Sequence, residues 1–99
     1  MAAITLKLFV LGDTPRTQRA IDAIQRLCEQ AGDGRCLLTV VDLEHDPEAA
    51  DQYNVIAAPT LVRERPPPVR QVVGDLRDLE RVQETLELDL GPGPTTPAT

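Results

Sequence analysis

From Ile4 to Leu11 the chain reads ITLKLFVL, with Ile4, Leu6, Leu8 and Val10 on one face and Phe9 and Leu11 on the other. That alternation predicts a strand, buried on both sides toward its end. The period then changes. Ala20, Ile21, Ile24, Leu27, Cys28 and Ala31 form a single helical stripe, and Thr14 before Pro15 supplies a capping hydroxyl followed by a residue of preset φ with no N–H to satisfy. Gly32 is placed to close the helix in the left-handed conformation.

Cys36 to Leu43, CLLTVVDL, is a second, nearly continuous apolar run rich in β-branched residues. Joined to the first strand by a helix, it should lie parallel to it through a right-handed crossover. Asp46 and Pro47 repeat the cap-then-proline start and open a short helix ending near Tyr53 and Asn54. A third strand includes Leu61 and Val62, and Arg65-Pro66-Pro67-Pro68 is a stiff connector whose prolines donate no backbone hydrogen bonds. Val69 to Val73 is a fourth strand, ended by Gly74, and Asp75 or Asp78 can cap a last helix carrying Leu76, Leu79, Val82 and Leu86. The order βαβαββα describes the α/β thioredoxin-like fold. YNVIAAPT resembles that fold's segment ending in a cis-proline before the third strand, so the resemblance implies a cis Ala58–Pro59 bond. Residues 1–90 are expected to form one domain, and GPGPTTPAT over 91–99 lacks an apolar anchor and should be disordered.

Charge narrows the classes of partner. Ten Lys plus Arg against sixteen Asp plus Glu give a formal charge of −6, with one Phe, one Tyr and no Trp. Nucleic-acid binding needs clustered positive charge and usually aromatic platforms, so the balance argues against it. No apolar run approaches the roughly 20 residues of a membrane span, and the first residues lack the pattern of a signal peptide. The expectation is a soluble cytoplasmic protein with no membrane partner.

The strand end and helix start at Gly12 to Pro15 is a favoured place for a reactive group, because the exposed helix N–H groups and the macrodipole stabilise an anion there. Thioredoxins carry Cys-x-x-Cys at that point, and this chain has GDTPRT. Thiol–disulfide exchange needs a thiolate and a resolving thiol, which a threonine hydroxyl without a general base does not replace. Cys28 and Cys36 stand too far along to substitute. They are expected as buried or half-buried free thiols packing as small hydrophobes, with a regulatory disulfide between them as the alternative. His45 and the acidic run Asp42, Glu44, Asp46 and Glu48 are expected to be solvated, with no metal and no cofactor. Arg63, Arg65 and Arg70 around the proline triplet, with Arg16 and Arg19 on the first helix, are expected to form a basic face that is either simply solvated or a positive patch suited to an acidic partner.

LKLFVLGDTP, VVDLEHDP and APTLVRERPPPVRQVVGDL, with the spacing between them, resemble the KaiB family of circadian-clock proteins over roughly residues 4 to 90. The thioredoxin-like input domain of the clock histidine kinase shares the strand-helix start and the A-x-P segment, but it is less similar after the third strand. The resemblance implies a non-enzymatic protein that binds the N-terminal ATPase ring of KaiC, a RecA-like hexamer, and through that complex captures KaiA or displaces the kinase. Lys7, Arg19 and Arg70 match the family's basic positions toward KaiC. Thr39 and Asn54 stand where lysines are common in the family, and Thr39 lies on the strand associated with KaiA capture. Two alternatives from other classes remain: a redox enzyme or sensor using Cys28 or Cys36, and a detached sensor domain related to the kinase input module.

The resemblance also implies two folds, a tetrameric ground state βαββααβ ending in a strand and a KaiC-binding, thioredoxin-like state ending in a helix. Residues 78–90, DLERVQETLELDL, carry both periods: Leu79, Val82 and Leu86 suit a helix, whereas Leu86, Leu88 and Leu90 alternate. Glu80, Arg81, Gln83, Glu84, Leu86 and Glu87 are strong helix formers, and Thr85 stands where the family carries a glycine important to switching. Pro59, Thr85, Glu87 and Leu90 are therefore the positions of structural or fold-switching interest, and the expected resting state is the thioredoxin-like monomer.

Overall fold

The computed structural model describes residues 4–30, 35–74, 76 and 78–86. It contains β1 (Ile4–Val10), α1 (Pro15–Gln30), β2 (Cys36–Asp42), α2 (Glu48–Tyr53), β3 (Thr60–Arg65), β4 (Arg70–Val73) and α3 (Leu79–Leu86). The sheet order is β2-β1-β3-β4, with β1 parallel to β2 and antiparallel to β3, and β3 antiparallel to β4.

Alternation along β1 sets the two layers. Ile4, Leu6, Leu8 and Val10 join Ile24, Leu27 and Cys28 of α1 and Val82 and Leu86 of α3 in the larger core. Phe9 points to the opposite face and packs with Ala49 of α2 and Val62 of β3. Neighbours in sequence serve different cores because successive strand residues face opposite ways.

Both expected signals at the start of α1 are used. The N–H of Thr17 donates to Thr14 Oγ1 at 3.1 Å, and that of Gln18 to the Thr14 carbonyl at 2.9 Å. At α3 the N–H of Arg81 donates to Asp78 Oδ1 at 3.2 Å, which selects Asp78 as the capping residue. Helix α2 corrects the expectation: it starts at Glu48 with Pro47 in the cap position and no side-chain cap. Asp46 contributes its carbonyl instead, accepting from Ala49 N at 3.2 Å. Asn54 ends α2 at φ 55°, a left-handed conformation that its short polar side chain tolerates. The Ala58–Pro59 bond is cis, as expected, and so are Arg65–Pro66 and Pro67–Pro68.

The cysteines are not free. Cys28 in the last turn of α1 and Cys36 at the first position of β2 form a disulfide, with their Cα atoms 5.3 Å apart. The crossover brings the end of the helix over the beginning of the next strand, a proximity that spacing alone does not reveal. Gly32 as helix closure, the Leu90 boundary and the 91–99 tail lie outside the described residues.

Candidate functional site

Helix α1 crosses the sheet above the C-terminal end of β1 and faces the loop that carries Pro59. Between them lies a cavity of about 340 Å³ lined by Arg16, Arg19, Ala20, Ala23, Pro59 and, at its far wall, Gly74 and Leu76. A second hollow of about 220 Å³ shares Arg16, Ala20 and Pro59 and continues to Leu11, Thr14 and Ala58. Sharing those residues, the two adjoin as one groove lined by alanines, Pro59 and the side chains of Arg16 and Arg19. Its shape depends on the cis-proline loop, which two bonds fix: Gly74 N donates to the Pro59 carbonyl at 2.9 Å, and Thr60 Oγ1 to the Ala57 carbonyl at 2.6 Å. Gly74, at φ +98°, has the backbone conformation that favours glycine.

The opposite end of the groove is held from the β2 side. Asp42 accepts from Gly12 N at 3.0 Å and Glu44 N at 2.9 Å, and these two donors hold its carboxyl below the ordinary aspartate value of 3.8. His45 Nε2 lies 3.8 Å from Asp42 Oδ2. The start of α1 thus offers a capping threonine and a supported backbone turn, and no thiol. Among the described residues, no group of three or more His, Cys, Asp or Glu side chains is arranged to hold a metal ion.

The basic positions singled out in the sequence, the arginines of the expected basic face and the family position Lys7, fall on different parts of the fold. Arg16 and Arg19 are exposed on α1 at the groove. Lys7 lies on the other face of the sheet. Its Nζ donates to Tyr53 Oη at 2.7 Å, sits 3.6 Å from Glu64 and stands 4.7 Å from the centre of the Tyr53 ring. The hydrogen bond with Tyr53 and the charge of Glu64 raise the Lys7 ammonium above the usual lysine value, against the effect of its desolvation. Tyr53 in turn donates to Glu64 Oε2, packs on Phe9 with ring centres 5.2 Å apart, and through its carbonyl accepts from Gln71 Nε2 at 2.6 Å.

Arg63 also departs from the expected surface. It is 3% exposed, and its guanidinium donates through Nη1 to the carbonyl of Leu86 and through Nη2 to that of Pro68 at 2.8 Å. It holds the end of α3 and the proline connector together rather than facing a partner. Arg70 is half-buried at the start of β4, across the ladder from Arg63. Thr85 is exposed on α3, Pro59 lines the groove, and Glu87 and Leu90 lie outside the described residues. The role of Arg63 and the Tyr53 cluster were missed from sequence. The only signal for Arg63 was its alternation with Leu61 in a strand whose same face enters the larger core.

A four-stranded mixed sheet with α1 and α3 on one face, α2 on the other and a cis-proline facing the start of α1 defines a thioredoxin-like protein, one with no cysteine at the helix start. Solved structures agree on the fold: the N-terminal domain of SasA from Synechococcus elongatus has a TM-score of 0.72 at 21% identity, covering 88% of this chain and 86% of that one. Thioredoxin O2 from Arabidopsis thaliana has a TM-score of 0.67 at 23% identity, covering 85% of this chain and 75% of that one. The KaiB domain model matches residues 7–88. The chain is 42% identical over 83 residues to the circadian clock oscillator protein KaiB of Nostoc punctiforme, covering 84% of this chain and 80% of its relative. It is 41% identical to KaiB1 of Synechocystis, covering 84% and 79%. The chain belongs to the KaiB family.

Proposed function

We propose that this chain is a non-enzymatic KaiB-type clock adaptor that binds the N-terminal ATPase ring of a KaiC-type hexamer and modulates its phosphorylation cycle. The observation that carries the reading is the helical state of α3 over Leu79–Leu86, since a terminal helix is what the family resemblance associates with KaiC binding. The groove between α1 and the Pro59 loop supports a docking role: it combines apolar surface with Arg16 and Arg19 in a chain of net charge −6. Such local positive charge steers an acidic partner surface into register. Arg19 and the half-buried Arg70 are the proposed contact residues, and Lys7 contributes from the opposite face. KaiA or a clock histidine kinase is the third component of the proposed complex. The chain is proposed to act in the cytoplasm, as a monomer in this thioredoxin-like state and as a tetramer if it enters the family's other fold; residues 1–90 are the proposed functional domain. Among the described residues, no helix is long and apolar enough to cross a membrane.

Mixing the protein with a KaiC hexamer, with and without ATP, tests the reading. A complex on size-exclusion chromatography that depends on nucleotide is the expected result. No complex under any nucleotide condition overturns it. The likeness to the SasA domain favours one second reading, a sensor module related to the kinase input domain. Failure to bind KaiC together with binding to kinase catalytic regions would select that reading.

A further inference from the structure

We propose that the Cys28–Cys36 disulfide is a reversible covalent modification site, opened and closed by exchange with a dithiol partner, and that Cys36 is the sulfur attacked. Its placement suits reversal rather than permanent cross-linking. The bond joins the last turn of α1 to the first residue of β2, eight positions apart. Each element has its own anchorage when the bond opens. Ile24 and Leu27 bury α1 in the larger core, and β2 keeps a seven-residue parallel ladder to β1 from Ile4↔Cys36 to Val10↔Asp42. A reduced Cys28 would stay in that core as a small apolar thiol. Both redox states are therefore folded.

The two cysteines differ in exposure as whole residues. Cys28 is 5% exposed within the core, whereas Cys36 is half-buried at the start of β2. A thiolate of the dithiol attacks Cys36 Sγ, forming a mixed disulfide and expelling the Cys28 thiolate, which takes up a proton. The second thiolate of the reductant then attacks its own sulfur in the mixed disulfide and releases Cys36 as a thiol after protonation. Two electrons pass to this chain, and the reductant leaves as a disulfide. The pair lies at the Ile4 end of β1, while the groove lies at the Val10 end, so exchange leaves the groove's lining residues in place.

Incubation of the intact protein in mixtures of reduced and oxidised dithiothreitol, followed by alkylation and mass spectrometry, is the test. One intramolecular two-electron transition is expected, with the protein monomeric on both sides. Melting of the oxidised and reduced forms should differ by on the order of 10 °C, and a Cys28→Ser/Cys36→Ser double variant should show no such difference. Among single variants, Cys28→Ser should form a mixed disulfide with oxidised glutathione about tenfold faster than Cys36→Ser, because access limits the second. Thiols that remain alkylatable in the oxidised mixture, cross-linked dimers, or a bond that opens only on unfolding each overturn the proposal, and the wild-type titration decides these without any variant. Equal rates for the two single variants overturn the assignment of Cys36.

Discussion

Arg63 on β3 holds the C-terminal end of α3 by donating through Nη1 to the carbonyl of Leu86, twenty-three residues along the chain. The last carbonyls of a helix lack intrahelical partners and carry the negative end of its dipole, so a buried guanidinium is well matched to them. Arg63→Leu removes that bond and the one to Pro68. It is expected to cost about 3 kcal/mol, because two charged hydrogen bonds are lost and the acceptors stay behind. The loss should concentrate in α3. Backbone chemical shifts of residues 82–86 moving toward extended values, together with a lower urea midpoint, are the expected readouts.

Thr85→Gly tests the same helix from its exposed side. Glycine is less favourable than threonine in a helix interior by a few tenths of a kcal/mol, through backbone entropy. The variant should populate non-helical α3 more than the wild type. Extended chemical shifts appearing at Val82 in the variant, or a tetramer by light scattering, would mark the family's other fold.

Tyr53→Phe keeps the ring on Phe9 but removes the hydroxyl that links Lys7 and Glu64. The expected loss is about 1 kcal/mol, small because the cluster is partly exposed and water replaces some of what is lost. An unchanged urea midpoint would show that solvent substitutes fully.

Arg19→Glu and Lys7→Ala separate docking from stability. Arg19 is exposed at the groove, so reversing its charge should weaken association with a KaiC hexamer by about tenfold or more while leaving the melting temperature nearly unchanged. Lys7 is tied to Tyr53 and Glu64, so its truncation should lower stability more than affinity. Titration calorimetry and thermal melting on both variants give the comparison. The opposite pattern would make Lys7, rather than Arg19, the principal docking contact.

Asp42 gives the chain an acid-sensitive joint. Two N–H donors, Gly12 and Glu44, depress its folded value below 3.8, so the folded state binds fewer protons than the unfolded one. Its contribution is complete above the ordinary aspartate value and is lost as pH falls through the lower folded one. Urea midpoints measured from pH 5 to pH 2 should fall less steeply for Asp42→Asn than for the wild type. Gly12 sits at φ +79° with the Glu44 carboxylate 3.2 Å from where a Cβ would stand, so Gly12→Ala should loosen the same turn at every pH.

Local chemistry determined much of this protein from sequence alone. The two-sided pattern of β1 and the Thr14–Pro15 helix start each act through a few neighbouring residues, and the chain writes those neighbours side by side; the choice of Asp78 over Asp75 as a cap came from the structure, and the cis bond before Pro59 was implied by resemblance. The exposure of Arg16 and Arg19 was legible for the same reason, since they occur one turn apart on a helix whose apolar stripe fixes its buried face; that a groove runs beside them was not. Tertiary structure decided which charges reach solvent and which thiols meet. Arg63 and Arg19 are the same residue type, yet the register of β3 buries one against α3 while the surface of α1 exposes the other. Cys28 and Cys36 become partners because a crossover returns the chain to the beginning of the sheet, and Lys7 finds Tyr53 forty-six residues away because α2 covers that face. Contacts between distant segments depend on how whole layers stack, and no single stretch of sequence contains that information.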